Sequence, residues 1–275
     1  MKNTRGVVIG ASAVVVTAVF FLVPFVFILL IASKDRVESS LLQFSWPKHF
    51  VLFQNITEAF AARDYLMVIA FINSLILTVV SVAALVILSA MVAYVWQRRG
   101  GRSSGLVNVL VLAGLIVPPA IVPTIFVLQK VGLFKTMPGL ILIEIAFGLP
   151  FCILLFRAFI ASVPRELDEA AVVDGANPVQ IFFRVIFPVL RSVIMTVIIL
   201  QTVAIYNDFQ NPLYFLPGTQ NATIQVTLLN FQSQFTSQYN LLFATILLVT
   251  IPPLIMFIFF NRKIVEGMAA GSVKG

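Results

Sequence analysis

Long apolar stretches without a single charged residue are the feature that most constrains this chain. The first runs uncharged from Gly6 to Ser33, and a helix needs only about 20 residues to cross a hydrocarbon core about 30 Å thick. Apolar residues make up 60% of the 275 residues and charged residues only 11%, and the mean hydropathy is +1.04. Soluble domains of this length do not have such a composition. The sequence therefore predicts an all-α integral membrane protein.

Six apolar segments have the length of a membrane-spanning helix. We predict spans over residues 7–32, 68–94, 106–128, 137–160, 192–212 and 241–260. The first is interpreted as an uncleaved span, because the apolar part of a secretory signal peptide is about half as long. Six spans place both chain termini on the same side of the membrane.

Three prolines fall within the third predicted span, at Pro118, Pro119 and Pro123. Each removes a backbone N–H donor, and a lipid-facing helix cannot leave the freed carbonyl groups unpaired. The sequence therefore predicts a kinked helix that faces protein or a water-filled cavity.

Basic residues are distributed unequally between the two sides of this arrangement. Of the 18 Lys and Arg residues, 12 fall on the side of the termini. The other side holds Lys34, Arg36, Lys48, Arg63, Lys130 and Lys135. Positively charged short loops remain in the cytoplasm, so we predict that both termini are cytoplasmic. Because the basic residues form short clusters between apolar runs, the net charge of +7 does not indicate a nucleic-acid partner.

The connection between the fourth and fifth spans, residues 162–190, carries strong helix start and stop signals. Pro164 is placed to open a first helix, and Gly175 is placed to close it in the left-handed conformation. Asn177 and Pro178 then supply an N-cap and a first helical residue, and Pro188 is expected to end the second helix. The pattern predicts two short helices, and we call residues 162–190 the two-helix loop.

The residues of this loop resemble the EAA motif of permease subunits of ATP-binding-cassette (ABC) importers, the inner-membrane component family of binding-protein-dependent transport systems. The motif residues are Glu169, Ala170, Ala171, Asp174, Gly175, Arg184, Ile186 and Pro188. The resemblance implies a type I ABC importer permease fold whose cytoplasmic loop inserts into a groove of a separate ATPase subunit. The implied coupling residues are Glu169, Ala170, Ala171, Asp174, Gly175, Ile181, Phe182, Arg184 and Pro188.

The resemblance extends along the chain from about Phe71 and is similar to the MalG-type branch, which imports carbohydrates. It rests on Phe71 to Leu75, on Tyr94 with Arg98, on Gly148 to Phe151, on Tyr206 to Asp208 and on the glycine-rich ending at 267–275. The sequence departs from the family pattern at three places, one of which is Arg191 with Ser192 in place of a more usual proline-containing pair. Asp168 stands where glutamate is frequent, and Glu144 is an acid where an apolar residue is expected.

The resemblance implies a domain layout, a location and a set of partners. Residues 1–68 are expected to form an N-terminal span with an extracytoplasmic loop, 69–261 the permease domain and 262–275 a cytoplasmic tail. The location is the bacterial cytoplasmic membrane. The partners are a second, homologous permease in a heterodimer, two cytoplasmic ATPase subunits and an extracytoplasmic solute-binding protein. The cargo is a sugar, with a di- or oligosaccharide favoured and glycerol 3-phosphate left open.

Catalytic and cofactor motifs are absent from the sequence. No segment fits the phosphate-binding pattern G-x-x-x-x-G-K-[ST], so ATP and Mg²⁺ are expected in the partner ATPase and no cofactor in this chain. The patterns H-E-x-x-H and G-x-S-x-G are missing too, and a single Cys and a single His do not make a metal site. We therefore predict a transport subunit that is not an enzyme.

Polar residues near the end of the fifth span are candidates for the substrate pathway. Gln201, Asp208 and Asn211 are spaced by seven and three residues and would share one helix face, with Asn207 beside them. Three interpretations stay open: a sugar pathway, hydrogen bonds between neighbouring helices, or a position at the outer membrane interface. An ion-coupled transporter would use Asp208 together with Glu144, and a membrane scaffold would use neither. These two alternatives leave the two-helix loop unexplained.

Overall fold

The computed structural model describes residues 4–99, 102–218, 221–231 and 238–272, and every regular element in these ranges is helical. The first group of α-helices is α1 (Thr4–Ala32), α2 (Arg36–Ser40), α3 (Leu52–Arg98), α4 (Arg102–Ile116), α5 (Ile121–Lys130) and α6 (Met137–Ile160). The second group is α7 (Glu166–Val173), α8 (Pro178–Gln180), α9 (Phe187–Val189), α10 (Arg191–Tyr206), α11 (Gln210–Phe215), α12 (Ile224–Thr227) and α13 (Tyr239–Ser272). A π-helical segment (Ile181–Ile186) joins α8 to α9, and a 3₁₀ segment (Leu228–Phe231) follows α12.

Within the described ranges, four helices are long and apolar enough to cross a membrane. The stretches that meet this criterion are Ser12–Ala32, Asp64–Arg98, Met137–Ile160 and Tyr239–Phe260. Two further crossings are formed if each of two sharply bent helix pairs is one span. By length and composition the chain thus has four to six candidate spans, and it is a multi-pass membrane protein.

The third span differs from the single kinked helix that was expected. Helices α4 and α5 meet at a bend of 117°, which is a reversal of direction and not a kink. Pro118 and Pro119 lie in the break, where two consecutive residues without an N–H prevent the helix from continuing. Pro123 does not interrupt a helix at all, because it lies in the first turn of α5, where backbone N–H groups have no helical partner anyway.

The fifth span was also predicted wrongly in its second half. Helix α10 ends at Tyr206, and the chain turns before α11 begins at Gln210. The carboxylate of Asp208 explains the turn: its Oδ1 accepts hydrogen bonds from the backbone N–H of Gln210 (2.8 Å) and of Asn211 (3.2 Å). Short acidic side chains compete in this way with helical hydrogen bonding. Asp208 and Asn211 therefore do not lie on one helix face with Gln201.

Helix α3 begins earlier than the second predicted span, at Leu52 and not near residue 68. Asp64 and Tyr65 have positive φ angles of 56° and 58°, which is a left-handed conformation that non-glycine residues seldom adopt. They mark the point at which the apolar stretch Asp64–Arg98 begins.

The chain forms two compact units. One comprises Met1–Val68 with Val226–Pro252, and the other Ile69–Gln225 with Pro253–Gly275. The predicted domain boundaries at 68/69 and 261/262 stay predictions. Helix α13 continues to Ser272, and residues 273–275 of the predicted tail, like Lys2, lie outside the described residues.

The core of the second unit is built by large apolar side chains of α3, α6 and α10. Leu85, Phe156, Ile160 and Val197 are fully buried there. Close-packed apolar side chains hold helices together in lipid through dispersion forces, because lipid itself is apolar and supplies little hydrophobic driving force. This core fixes the helices from which the candidate site is built.

A buried asparagine closes the carboxyl end of α1 within the first unit. The Nδ2 of Asn55 donates hydrogen bonds to the carbonyl oxygens of Ala32 and Lys34, both at 2.8 Å. Its Oδ1 accepts a hydrogen bond from Nδ2 of Asn240 at 2.8 Å. The last carbonyl groups of a helix have no partner in the helix itself, so a side chain that pairs with them stabilises its end.

We expect Asn55→Ala to lower the free energy of unfolding by about 1–3 kcal/mol, since it leaves buried carbonyl groups without a donor. The neighbouring Gln54→Ala is the matched control, because the side chain of Gln54 is exposed and donates its hydrogen bond to the exposed side chain of Glu58. The apparent Tm of the detergent-solubilised protein measures the difference. Equal shifts for the two variants would contradict the role given to Asn55.

Candidate functional site

The first half of the two-helix loop has the geometry that the sequence predicts. Gly175 has a φ of +80° and ends the helix in the left-handed conformation. Helix α7 begins at Glu166, two residues after Pro164, so the proline precedes the helix and does not open it. Acidic residues fill the first turn of α7, where negative charge interacts favourably with the helix dipole.

The second half begins as predicted and ends differently. Asn177 is the N-cap of α8, and a reciprocal pair of hydrogen bonds of 2.9 Å with Gln180 forms a capping box. The helix does not end at Pro188 but continues through the π-helical segment to Val189. In the π segment the N–H of Phe187 bonds the carbonyl of Phe182, five residues back. The wider turn lets the helix pass a residue that has no N–H, and a 77° bend follows before α10.

The inner face of the loop is anchored by Phe182. Its ring centroid lies 5.6 Å from that of Tyr94 on α3, 4.9 Å from that of Phe183 and 5.7 Å from that of Phe187. Ile186 is buried on the same side. Such aromatic clusters contribute both apolar burial and favourable ring geometry. The aromatic contacts therefore attach the second half of the loop to the end of α3.

The predicted coupling residues divide between two faces of the loop. Those buried within this chain are Ala171, Ile181 and Phe182. Those exposed are Glu169, Ala170, Asp174, Gly175, Arg184 and Pro188. The exposed face also carries three valines that sequence reasoning missed, Val172, Val173 and Val179, of which Val173 is 86% exposed. For Val172 and Val173, the signal in the sequence was a pair of apolar residues at the end of α7, whose first turn is acidic.

Asp168 connects α7 to the end of α3. Its Oδ1 accepts a hydrogen bond from Oη of Tyr94, and its Oδ2 lies 2.9 Å from Nη2 of Arg98. The same Nη2 donates to the carbonyl oxygens of Val163 (3.1 Å) and Pro164 (3.3 Å). Only one other ion pair occurs in the ranges that the structure describes.

A groove of about 440 Å³ lies beside these contacts and is lined by residues of both the end of α3 and the loop. Its lining includes the basic residues Arg98, Arg99 and Arg165, the acids Asp168 and Glu169, and apolar side chains such as Val95 and Phe183. The mixture of charges and apolar surface is typical of a protein contact region and not of a catalytic pocket.

A second cavity, of about 310 Å³, contains three of the polar residues highlighted in the sequence. Its walls are Glu144, Phe147, Gly148, Phe151, Gln201, Ala204, Ile205 and Asp208. Asn211 borders it by donating a hydrogen bond from Nδ2 to Oε1 of Glu144 at 3.3 Å. Asn207 is directed elsewhere, because its Oδ1 accepts a hydrogen bond from Nε2 of Gln225 at 3.2 Å. Folding thus brings Glu144 to residues about 60 positions away.

Gly148 allows close packing at this cavity. A Cβ atom added to it would lie 2.9 Å from Cδ1 of Leu85 and 3.2 Å from Oε1 of Gln201. Both distances are too short for an ordinary contact. The absence of a side chain at Gly148 therefore lets α3 and α10 approach α6 closely.

Comparison with known proteins identifies the family. A sequence profile of the family described as "binding-protein-dependent transport system inner membrane component" matches residues 85–269, about two thirds of the chain. The chain belongs to this family. The recognition made from the EAA residues is confirmed.

Several relatives are similar over nearly the whole permease. The diacetylchitobiose uptake system permease protein NgcG of Streptomyces coelicolor is 31% identical, over 99% of this chain and 91% of the relative. The melibiose/raffinose/stachyose import permease protein MelC of Bacillus subtilis is 31% identical over 82% of each chain. The trehalose transport system permease protein SugB of Mycobacterium tuberculosis is 34% identical over 82% of this chain and 83% of the relative.

A solved structure has the same fold as this permease. A chain of a bacterial ABC transporter that imports the acidic polysaccharide alginate superposes with a TM-score of 0.81 at 19% sequence identity, covering 95% of this chain and 98% of that one. The predicted all-α ABC importer permease fold is confirmed.

The described residues contain no group of three or more His, Cys, Asp or Glu side chains arranged to hold a metal ion. The expected lack of a cofactor stays a prediction.

Phe182→Ala should detach the loop from α3, because truncation of a buried phenylalanine costs about 3–5 kcal/mol. The adjacent Phe183→Ala is the matched control, since Phe183 is 44% exposed. We expect a lower apparent Tm and faster proteolysis within residues 162–190 for Phe182→Ala alone. Similar behaviour of both variants would show that Phe182 is not the anchor.

Proposed function

We propose that this chain is the passive translocation subunit of an ATP-driven sugar importer that works by alternating access. The observation that carries the proposal is the two-helix loop, which buries one face on the chain itself and exposes the other. Exposed motif residues such as Glu169 and Arg184, together with the apolar Val173, suit a contact with another protein. The relatives are permeases named for uptake of diacetylchitobiose, melibiose and trehalose. We propose further that this chain is not an enzyme and that ATP and Mg²⁺ bind to the partner ATPase.

The proposed assembly contains two ATPase subunits, a second homologous permease and an extracytoplasmic solute-binding protein. The family is described as a component of binding-protein-dependent systems. A second structure of the alginate transporter contains a periplasmic protein bound to an alginate pentasaccharide, and its matching chain supports the fold with a TM-score of 0.69. A heterodimer of permeases is the arrangement that we favour.

The proposed orientation has both termini and the two-helix loop in the cytoplasm. The support is the distribution of basic residues, 12 on that side against 6 on the other, since positively charged loops are retained inside. The ATPase would then approach the exposed face of the loop from the cytoplasm.

The cavity beside Glu144 supports a neutral cargo along the proposed pathway. Gln201 and Asp208 line this cavity and Asn211 borders it, whereas Asn207, which the sequence also suggested for the pathway, is directed away from it. Two carboxylic acids, Glu144 and Asp208, line the cavity, and no Lys or Arg is among its lining residues. Carboxyl and amide groups hydrogen-bond sugar hydroxyls, whereas carboxylates repel a phosphorylated solute. A di- or oligosaccharide therefore fits better than glycerol 3-phosphate.

Gly175→Val should reduce ATP-dependent uptake of labelled di- and oligosaccharides about tenfold or more, while the protein stays in the membrane. No atom lies within 4 Å of a Cβ added at Gly175, so the effect arises from the positive φ. A β-branched residue is strained there by about 1–3 kcal/mol, and 1.4 kcal/mol corresponds to a factor of ten.

Gly175→Asn is the control for this experiment, because asparagine tolerates the left-handed conformation. It should retain most of the uptake, and immunoblots of membrane fractions verify equal amounts of protein. If Gly175→Val transported sugar normally, the loop would not act as the ATPase contact.

Asp208→Asn should change the KM or the maximal rate of sugar uptake. The substitution keeps an acceptor oxygen for the N–H groups of Gln210 and Asn211 and removes the negative charge. Asn207→Ala serves as a comparison, because its amide bonds Gln225 and does not line the cavity. Unchanged kinetics of Asp208→Asn would favour a role in helix contacts or at the membrane interface.

A further inference from the structure

We infer that Asp168 is a positioning residue through which movement of the two-helix loop is transmitted to α3. Tyr94, Arg98 and Asp168 together are called the Asp168 clamp. The inference rests on the proposed function, in which the loop is the part that an ATPase displaces. It adds the route by which the displacement leaves the loop.

The clamp holds the start of α7 by its side chain and by its backbone at once. Arg98 pairs with the carboxylate of Asp168 at 2.9 Å and also bonds the carbonyl groups of Val163 and Pro164, immediately before α7. The side chains of Arg98 and Asp168 are only 13% and 17% exposed. Attraction between opposite charges is stronger where the charges are shielded from water than where they are exposed.

Tyr94 extends this attachment to the second half of the loop. Its hydroxyl donates to Asp168 on α7, while its ring lies 5.6 Å from the ring of Phe182 in the π segment. One side chain of α3 therefore contacts both halves of the loop. A displacement of the loop must either move the end of α3 or break these contacts.

Helix α3 continues from the clamp to the wall of the polar cavity. Leu85, nine residues before Tyr94, is fully buried on α3, and it lies against Gly148, which lines the cavity. The contact is close enough that a Cβ added at Gly148 would lie 2.9 Å from Leu85. Closely packed helices transmit strain because they have no free volume in which to absorb it. The clamp, α3 and Gly148 thus form a continuous line of contacts from the loop to the proposed pathway.

A merely structural role for the clamp makes a different prediction from a transmitting role. A structural clamp keeps the loop folded, so its loss lowers ATP hydrolysis and uptake together. A transmitting clamp leaves hydrolysis in place and lowers the amount of sugar moved for each ATP. Coupling between two sites is typically worth a factor of about 5–150.

The experiment uses the complete transporter in proteoliposomes and measures ATP hydrolysis and sugar uptake on the same sample. Asp168→Asn removes the charge at nearly constant size, and Glu166→Gln, an exposed residue in the same turn of α7, is the control. We expect sugar transported per ATP to fall about tenfold for Asp168→Asn, within the range above, and to stay unchanged for Glu166→Gln. Arg98→Lys keeps a positive donor for Asp168 and for the carbonyl groups of Val163 and Pro164, so it should retain more of the coupling than Arg98→Ala.

Two outcomes would overturn the inference. In one, Asp168→Asn transports as much sugar per ATP as the unmodified protein. In the other, uptake and hydrolysis fall in proportion for Asp168→Asn, and Arg98→Lys retains no more coupling than Arg98→Ala. The second outcome would assign the clamp to folding of the loop.

A spin-label distance separates this inference from the proposed function. Val173→Cys on α7 and Val92→Cys on α3 are exposed labelling sites, introduced after the single cysteine is removed by Cys152→Ala. We expect one narrow distance with the native clamp and a broad distribution with Asp168→Asn. If neither the native protein nor any variant shows ATP-dependent uptake, the proposed function fails. The spin-label distances then test the clamp alone, and equal distance distributions for the native clamp and for Asp168→Asn would overturn it.

Discussion

Backbone hydrogen bonding in a solvent that offers no partners is the constraint on which the rest of this structure depends. Within hydrocarbon each unpaired N–H or C=O costs several kcal/mol, so the chain crosses as helices. Where a helix ends, polar side chains or turns form hydrogen bonds with the backbone N–H and C=O groups that have no partner in the helix. Asn55 pairs with the end of α1, Asp208 with the start of α11, and Asn177 with the start of α8. Asn177 belongs to the two-helix loop and Asp208 to the polar cavity, so both candidate functional regions include such a helix end.

Local features of the sequence were sufficient to predict local features of the fold. Hydrophobic length located the four candidate spans that are single helices, and Gly175 with Asn177 defined the turn between the two short helices, because each signal is local. The same reasoning was wrong where a local signal has more than one outcome. Pro118 and Pro119 produce a reversal of 117° and not a kink, and the helix passes Pro188 by forming a π turn. A proline identifies where a helix is disturbed but not how the surrounding structure responds.

Contacts between distant residues could not be predicted from one sequence. Arg98 and Asp168 are 70 positions apart, and Asn211 is 67 positions from Glu144. In the sequence these residues stand out only singly. Arg98 is an arginine at the end of an apolar segment, and Glu144 is an acid within one. Spacing along one helix even suggested a wrong arrangement, in which Asp208 and Asn211 continued the face of Gln201. The turn at Asp208 nevertheless brings these residues to one cavity. Their positions there depend on how α6 packs against α10 and α11.

The exposed valines of the two-helix loop have a consequence for the life of the protein before it is assembled. Val173 is 86% exposed and Val172 60%, at the end of α7, which the proposed orientation places in the cytoplasm. Apolar surface in water costs about 25 cal/mol for each Å², and it attracts proteases, chaperones and other unassembled chains. A subunit with such a surface is safest when its cytoplasmic partner is made at the same time and in matching amount. The loop thus favours coordinated synthesis of the subunits. Chains made in excess would be exposed to proteolysis and aggregation.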